Sequence, residues 1–148
     1  MALQEYQAKR KFNKTTEPKG EINKKNLSRF VVQEHQARNL HYDFRLEMDG
    51  VLKSWAVPKG VPEARGVKRL AVQVEDHPVD YINFSGIIPE GEYGAGEVKI
   101  WDKGNWKLTR GGLTTRSIKF ELFGKKLNGE YAIFQLKDNK KNWLIFKI

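Results

Sequence analysis

Four polar side chains with complementary chemistry alternate with apolar ones between positions 41 and 48. The polar positions hold His41, Asp43, Arg45 and Glu47. Since successive side chains of a strand point to opposite faces, this run predicts a strand with an imidazole, a guanidinium and two carboxylates on one face, over an apolar floor. Such a face can bind a cation and a phosphoryl group together, whereas solvent-facing strands usually carry Thr, Lys or Ser.

His41 and Asp43 have the spacing of metal ligands on a strand. Residues two apart lie about 6.6 Å from each other along a strand, and their side chains can converge on one metal ion at about 2.0–2.2 Å. A third ligand has to come from elsewhere, and His35 lies upstream across a predicted turn. Two His and one carboxylate suit Mn²⁺, Fe²⁺ or Zn²⁺. From these residues alone, a strand His without a metal is the alternative.

Arg45 follows on the same face of the predicted strand. A fixed guanidinium beside a metal can clamp a phosphoryl group, and a salt bridge to Asp43 or Glu47 is the alternative. If Asp49 and Gly50 form a two-residue hairpin turn, Asp43 pairs with Ala56 on the next strand. A small residue there would leave room for a ligand.

Three further segments carry groups that could serve the same site. Lys59 lies at a turn and could reach a phosphate, with an ordinary exposed loop Lys as the alternative. His77 follows two acids at a strand exit and could act as a general acid or bind phosphate, with turn capping as the alternative. The Gly-rich stretch 89–96 lacks Gly-Lys-Ser/Thr and precedes a strand, so we interpret it as a tight strand connection with positive φ angles.

Many short strands separated by Gly and Asn predict a mainly β protein, a small antiparallel β-barrel with short helical turns and an N-terminal arm. We expect one domain over 1–148, with an extended basic arm at 1–29, one helical turn near 3–9, and a barrel at 30–148. Hairpin loops are predicted at 102–105 and 127–130. Strands are predicted at 29–33, 42–48, 51–57, 70–74, 98–101, 106–109, 117–123, 131–136 and 143–148.

Composition and charge narrow the class of protein. The 148 residues contain no Cys, which excludes disulfides and thiolate metal sites, and no apolar run is long enough for a membrane span. We therefore expect a cytoplasmic protein that contacts no membrane. The net charge of +9 is uneven, because residues 31–100 are net acidic between two basic flanks. That pattern fits a cation site framed by a surface for polyanions, and a basic protein without nucleic acid is the alternative.

Three stretches resemble the 3′-phosphoesterase module of bacterial DNA ligase D. They are residues 30–60, 74–81 and 87–94. The resemblance covers nearly the whole chain, and it implies a module that stands alone, without an attached polymerase or ligase. It also implies a small β-barrel that depends on Mn²⁺, with Zn²⁺ or Co²⁺ as substitutes. The expected activity trims DNA 3′ ends by removing a terminal ribonucleotide and then the 3′-phosphate.

The resemblance also implies roles for individual residues. The metal ligands would be His35, His41 and Asp43. The catalytic residues that handle phosphate would be Arg45, Lys59, Arg69, His77 and Tyr81. The substrate-binding residues would be Gln33, Arg10 and Glu17, the last two from an N-terminal motif at 6–12 and just beyond it. Lys11 stands in that motif where the family often has Asp, so the resemblance implies the phosphatase step more directly than the ribonucleotide step.

The predicted function is therefore Mn²⁺-dependent processing of DNA 3′ ends in non-homologous end joining. The partners would be the 3′ end of a DNA or DNA/RNA primer–template and a separate DNA ligase and polymerase, with the protein acting as a monomer. One alternative is a β-barrel that binds nucleic acid without catalysis. Another is a metal-dependent oxygenase, which would use two His and one carboxylate but would not need the additional cations.

Overall fold

The computed structural model describes residues 3–19 and 27–148 as a single closed sheet with two short helices. The helices are α1 (Gln4–Ala8) and a 3₁₀ helix (Val79–Asn83). The strands are β1 (Arg29–Gln36), β2 (Leu40–Met48), β3 (Val51–Val57), β4 (Lys68–His77), β5 (Gly86–Ile88), β6 (Gly96–Leu113), β7 (Ser117–Phe123), β8 (Asn128–Gln135) and β9 (Asn142–Lys147).

All strand pairs named in the sheet are antiparallel, in the order β1-β2-β3-β4-β9-β8-β7-β6-β5. A further pairing of β1 with β6 closes the sheet into a barrel, and β5 lies outside the ring on β6. Closure leaves the eight paired strands of the ring without a free edge. The predicted fold class, an antiparallel β-barrel, is confirmed.

The hairpin between β2 and β3 forms as the sequence predicts. Asp49 and Gly50 both have positive φ angles, 55° and 80°. Two such residues make the tight turn whose twist matches that of the flanking strands. In the resulting register Asp43 lies opposite Ala56. The turn therefore fixes which side chains of β2 share a face with those of β3.

Two apolar cores lie on opposite sides of β1, β2 and β3. The first fills the barrel and includes Phe44, Leu46 and Trp55, each no more than 1% exposed. The second lies outside the barrel wall and includes Val31 and Leu52. Because apolar and polar residues alternate along β2, its apolar side chains point into the barrel core and its polar side chains lie on the outer face. The predicted apolar floor beneath the polar face is therefore present.

The N-terminal segment, predicted as an extended arm with a helical turn, is docked on this outer face in its described part, residues 3–19. Tyr6 on α1 is fully buried in the second core, and its ring packs 4.9 Å from the ring of His77 and 6.0 Å from that of Tyr81. The helical turn is confirmed. Within the described part of the chain, neither helix is long and apolar enough to cross a membrane.

The prediction of a hairpin loop at 102–105 is wrong, because β6 continues through it as one strand. All four residues of this stretch pair with β1, and Asn105 also pairs with Phe123 of β7, so the chain stays extended despite Gly104. The loop predicted at 127–130 lies earlier, between the end of β7 at Phe123 and the start of β8 at Asn128.

Asp102 stabilises the connection between β7 and β8. Its carboxylate is 4% exposed and accepts hydrogen bonds of 2.8–3.1 Å from the backbone N–H groups of Lys125, Lys126 and Leu127. We expect Asp102→Ala to lower the free energy of unfolding by about 3 kcal/mol, because it leaves three N–H groups without their acceptor, including the buried one of Leu127. Urea unfolding measures this. The exposed-site variant Asp138→Ala should stay within about 0.5 kcal/mol of the parent. Equal stability of both variants would contradict this role.

Candidate metal centre and phosphoryl site

Three ligand-type side chains meet on the outer face of β1 and β2. His35 and His41 lie directly opposite each other in the β1–β2 register. Asp43 lies between them, with Oδ2 3.4 Å from His35 Nδ1 and Oδ1 3.2 Å from His41 Nε2. The potential ligand atoms of the three residues all lie within 4.8 Å of one another. Three atoms that each lie about 2.1 Å from one cation are at most about 4.2 Å from one another. The side chains therefore need to move by less than an ångström to form the site.

The other nitrogen of each imidazole is held by a backbone carbonyl. His35 Nε2 donates to the Gly94 carbonyl at 2.6 Å, and His41 Nδ1 donates to the Asn39 carbonyl at 3.1 Å. These bonds leave the lone pairs of His35 Nδ1 and His41 Nε2 facing Asp43. A hydrogen bond from the distal nitrogen to a carbonyl is the usual support of a metal-binding His. The donor set of two nitrogens and a carboxylate therefore fits a divalent cation such as Mn²⁺, Zn²⁺ or Co²⁺.

The charge state of this group also favours metal binding. Burial opposes ionisation of Asp43, but the Arg45 guanidinium outweighs it, together with the hydrogen bonds that the two imidazoles donate when they carry a second proton. The pKa of Asp43 therefore lies well below its usual range. The same hydrogen bond to Asp43 raises the pKa of His41. Asp43 is thus an anion at neutral pH, and a proton on His41 would compete with a cation for the same lone pair.

Arg45 is held beside the ligands by three neighbours. Its Nε donates to Gln33 Oε1 at 2.7 Å, its Nη2 lies 3.5 Å from Asp43, and its guanidinium lies over the Tyr81 ring at 4.9 Å. Gln33 is fully buried and donates to the Tyr81 and Phe84 carbonyls. Arg45 Nη1 is buried and has no hydrogen-bond partner among the described residues. The guanidinium therefore keeps one donor for an incoming acceptor.

A second guanidinium lines the same cavity as Arg45. Arg10, whose side chain is 5% exposed, pairs with Glu17 at 2.9 Å and with Glu75 at 3.3 Å. Its Nη2 lies 3.3 Å from His77 Nε2, while His77 Nδ1 donates to the Glu75 carbonyl at 2.9 Å. An Arg can only donate, so His77 Nε2 is the acceptor. Burial, with the positive charges of Arg45 and Arg10, lowers the pKa of His77 well below its ordinary value, which keeps this imidazole neutral.

These groups surround one cavity of about 250 Å³. Ala56 and Val74 line it, so the small residue predicted opposite Asp43 does leave space. The polar lining comes from His35, His41, Asp43, Arg45, Arg10, Glu75 and His77. A site that contains these ligands and two guanidinium groups can hold a cation and bind a phosphoryl group.

Comparison with known proteins assigns the chain to a family. The profile of the DNA ligase D 3′-phosphoesterase domain matches residues 33–135, which is more than half of the sequence. The chain belongs to this family.

Curated relatives agree with this membership of the 3′-phosphoesterase family. The chain is 50% identical over 153 residues to the multifunctional non-homologous end joining protein LigD of Pseudomonas aeruginosa, which covers 98% of this chain and 18% of that protein. It is 46% identical over 157 residues to the protein of the same name from Mycolicibacterium smegmatis, covering 99% and 20%. The chain thus spans about a fifth of the length of these relatives.

Most of the residues predicted for the phosphoesterase site are brought together. The three proposed ligands, Arg45, His77 and Arg10 all line the cavity. Gln33, Tyr81 and Glu17 lie behind it. Glu17 is 4% exposed and accepts hydrogen bonds from both Arg10 and the Tyr81 hydroxyl, at 2.9 and 2.7 Å. These three residues are therefore placed to position the two guanidinium groups, and direct contact of Glu17 with substrate stays a prediction.

Lys59 and Arg69 do not line the cavity. Lys59 is exposed in the turn after β3, and Arg69 Nη1 donates to the carbonyls of Lys59 and Gly60 at 2.8 and 3.0 Å. Arg69 thereby fixes the turn that presents Lys59. The catalytic roles predicted for these two residues stay predictions, and a phosphate contact by Lys59 would require its long side chain to extend toward the cavity.

The residues that reasoning from the sequence missed are Glu75, Tyr93 and the Gly94 carbonyl. Glu75 is 7% exposed and belongs to the pair of acids that precedes His77, and its position in the sequence gives no signal of its own. Its burial between Lys9 and Arg10 depends on docking of the N-terminal segment. A carbonyl acceptor leaves no residue-type signal, although the Gly-rich stretch around Gly94 did predict a connection with positive φ.

Gly94 offers a test of the support for His35. Its φ is +76°, so an added Cβ strains the backbone by about 1–2 kcal/mol and displaces the carbonyl that holds His35 Nε2. We expect Gly94→Ala to weaken Mn²⁺ affinity by about 10- to 100-fold in calorimetric titration. The matched control is Gly91→Ala, with φ +90° and open space around its Cβ, which should bind Mn²⁺ like the parent. Equal losses in both variants would mean that the loop, not this carbonyl, matters.

Proposed function

We propose that this chain is a Mn²⁺-dependent phosphoesterase that removes a 3′-phosphate or a 3′-terminal ribonucleotide from a DNA primer strand and leaves a 3′-OH for repair. One observation carries the proposal: the lone pairs of His35 and His41 and the Asp43 carboxylate converge beside a guanidinium with an unpaired N–H group, in one cavity. Membership of the 3′-phosphoesterase family supports the reaction class, and the names of the relatives support a role in non-homologous end joining.

The proposed ligands for Mn²⁺ are His35 Nδ1, His41 Nε2 and Asp43, and Zn²⁺ or Co²⁺ would suit the same donors. When bound, a divalent cation supplies a Lewis acid for a phosphoryl oxygen. Arg45 donates its free N–H group to the phosphoryl group and neutralises charge that develops during transfer. Its supports from Gln33 and Tyr81 keep that donor in place before substrate arrives.

Arg10 and His77 act together in the same cavity. Arg10 provides the second guanidinium for phosphate oxygens, and Glu17 and Glu75 fix its direction. His77 is neutral and already uses its Nδ1 proton on the Glu75 carbonyl. Its Nε2 accepts the hydrogen bond from Arg10 and so helps to direct that guanidinium, and a role of His77 as proton donor stays a prediction.

The test uses two primer–templates with Mn²⁺, one ending in a 3′-phosphate and one in a single ribonucleotide. We expect both to yield a 3′-OH, and omission of metal with EDTA to stop both reactions. Product is read on denaturing gels. No product from either primer, while the duplex still binds in an anisotropy assay, would contradict the proposed function.

Lys11 separates the two activities. It is exposed, adjoins Arg10, and stands where the family often has Asp. We expect the ribonucleotide-ended primer to react more slowly than the phosphate-ended primer, and Lys11→Asp to narrow that difference without changing phosphate removal. A variant with an unchanged ratio of the two rates would show that this position does not control the ribonucleotide step.

A further inference from the structure

Tyr93 lies at the mouth of the cavity and has no part in the phosphoryl chemistry proposed above. It belongs to the connection between β5 and β6, and 45% of it is exposed. Its ring lines both the cavity and an adjoining depression of about 370 Å³, which also share Val74 and Glu75. The cavity alone is smaller than a typical ligand site of about 300–1,000 Å³. A ligand larger than a phosphoryl group would therefore extend past Tyr93.

The Tyr93 ring is held by cations from the N-terminal segment. Lys9 Nζ lies 4.8 Å from the ring centre and 3.5 Å from the hydroxyl, and the Arg10 guanidinium lies 5.2 Å from the ring centre. Contacts within about 6 Å are attractive. The carbonyl of the next residue, Gly94, accepts the hydrogen bond from His35 Nε2. The ring therefore has a fixed place relative to both Arg10 and the metal ligands.

The adjoining depression has balanced charge and a partly apolar floor. Lys9, Lys141, Glu5 and Glu75 all line it, with Lys9 Nζ 3.3 Å from the Glu75 carboxylate, and Val72 and Val74 form part of its surface on β4. Two cations set against two carboxylates give no excess of positive charge for a phosphate. An exposed ring above an apolar, electrically balanced floor suits a flat, uncharged group instead, and in a nucleic acid that group is a base.

We infer that Tyr93 is the stacking platform for one nucleobase of the substrate strand, the base of the nucleotide whose 3′ oxygen carries the phosphoryl group in the cavity. This inference rests on the proposed function and extends it, because it names how the enzyme holds the strand next to the reacting phosphate. Stacking tolerates any base, so this contact would fix the position of the strand end without selecting a sequence.

The test compares two primer–templates that both end in a 3′-phosphate. One has an ordinary terminal nucleoside, and the other has a tetrahydrofuran abasic residue there. For Tyr93→Leu we expect KM on the ordinary end to rise about 5- to 100-fold, and KM on the abasic end to stay within about twofold of the parent. Tyr93→Phe keeps the ring and should match the parent on both ends. Equal effects of Tyr93→Leu on the two ends, or no effect on the ordinary end, would overturn the inference.

A binding measurement separates this inference from the proposed function. With EDTA present, a primer ending in 2-aminopurine reports stacking by loss of its fluorescence when protein is added. The parent and Tyr93→Phe should quench it, and Tyr93→Leu should not. Quenching by the parent without any turnover in Mn²⁺ would contradict the proposed function and support the stacking site. Turnover in Mn²⁺ with equal quenching by all three proteins would support the proposed function and contradict the stacking site.

Discussion

Replacing Asp43 with Asn is expected to lower kcat/KM for removal of a 3′-phosphate by at least about 1,000-fold. Asp43 is 6% exposed and bridges the two imidazoles that would complete the metal site. Asn keeps the size of the side chain but loses the negative charge, so it removes the anionic ligand and most of the attraction for a divalent cation. Calorimetric titration should show one Mn²⁺ site in the parent and none in the variant at the same concentrations.

The control for this variant is Asp138→Asn, which also removes one negative charge but from an exposed loop between β8 and β9. It should match the parent in activity and Mn²⁺ binding. Circular dichroism of both variants checks that the fold is retained. An Asp43→Asn protein that is folded and keeps more than a tenth of the parental activity would remove Asp43 from the metal site.

Arg45→Lys is expected to lower kcat/KM by about 100- to 1,000-fold, with Mn²⁺ affinity changed by no more than a factor of a few. Lys keeps the positive charge near Asp43, but it lacks the planar fork that lets Arg45 bond Gln33 with Nε while keeping Nη1 unpaired. The loss should therefore fall on the chemical step. Steady-state kinetics on the phosphate-ended primer, with Mn²⁺ titration of the same preparation, measures both quantities.

Gln33→Leu tests whether the support of Arg45 matters separately from its charge. Gln33 is fully buried and links the Arg45 guanidinium to the Tyr81 and Phe84 carbonyls. We expect a loss of up to about 100-fold in kcat with Mn²⁺ affinity retained, because the donor remains but its direction is less fixed.

If Arg45→Lys weakened Mn²⁺ binding and activity in equal proportion, Arg45 would be a structural neighbour of the metal and not a phosphoryl clamp.

The local part of the site could be predicted from the sequence. A strict period of two placed His41, Asp43 and Arg45 on one face, and the Asp49-Gly50 turn set the register of that face. Both signals lie within one hairpin, so no knowledge of the tertiary structure is needed. His35 reached the site for a similar reason, because the short turn after β1 pairs it directly with His41.

The distant part of the site could not be predicted in the same way. Arg10 reaches Glu75 and His77 of β4 only because α1 docks on the outer face of the barrel through Tyr6, and the pattern of the N-terminal segment is too irregular to show that face. The wrong loop at 102–105 has a related cause. Gly and Asn are common in turns, but Gly104 and Asn105 both pair with β1, and Asn105 also pairs with β7. These pairings keep both residues in a strand.

The most direct test of the central claim is a crystal structure of the protein with Mn²⁺, with anomalous diffraction recorded at the manganese edge. The arrangement of carbonyl bonds predicts one strong anomalous peak about 2.1 Å from His35 Nδ1, His41 Nε2 and an oxygen of Asp43. The peak should adjoin the cavity that Arg45 lines. A peak bound to other residues, or crystals in Mn²⁺ with no peak at these three atoms, would contradict the account.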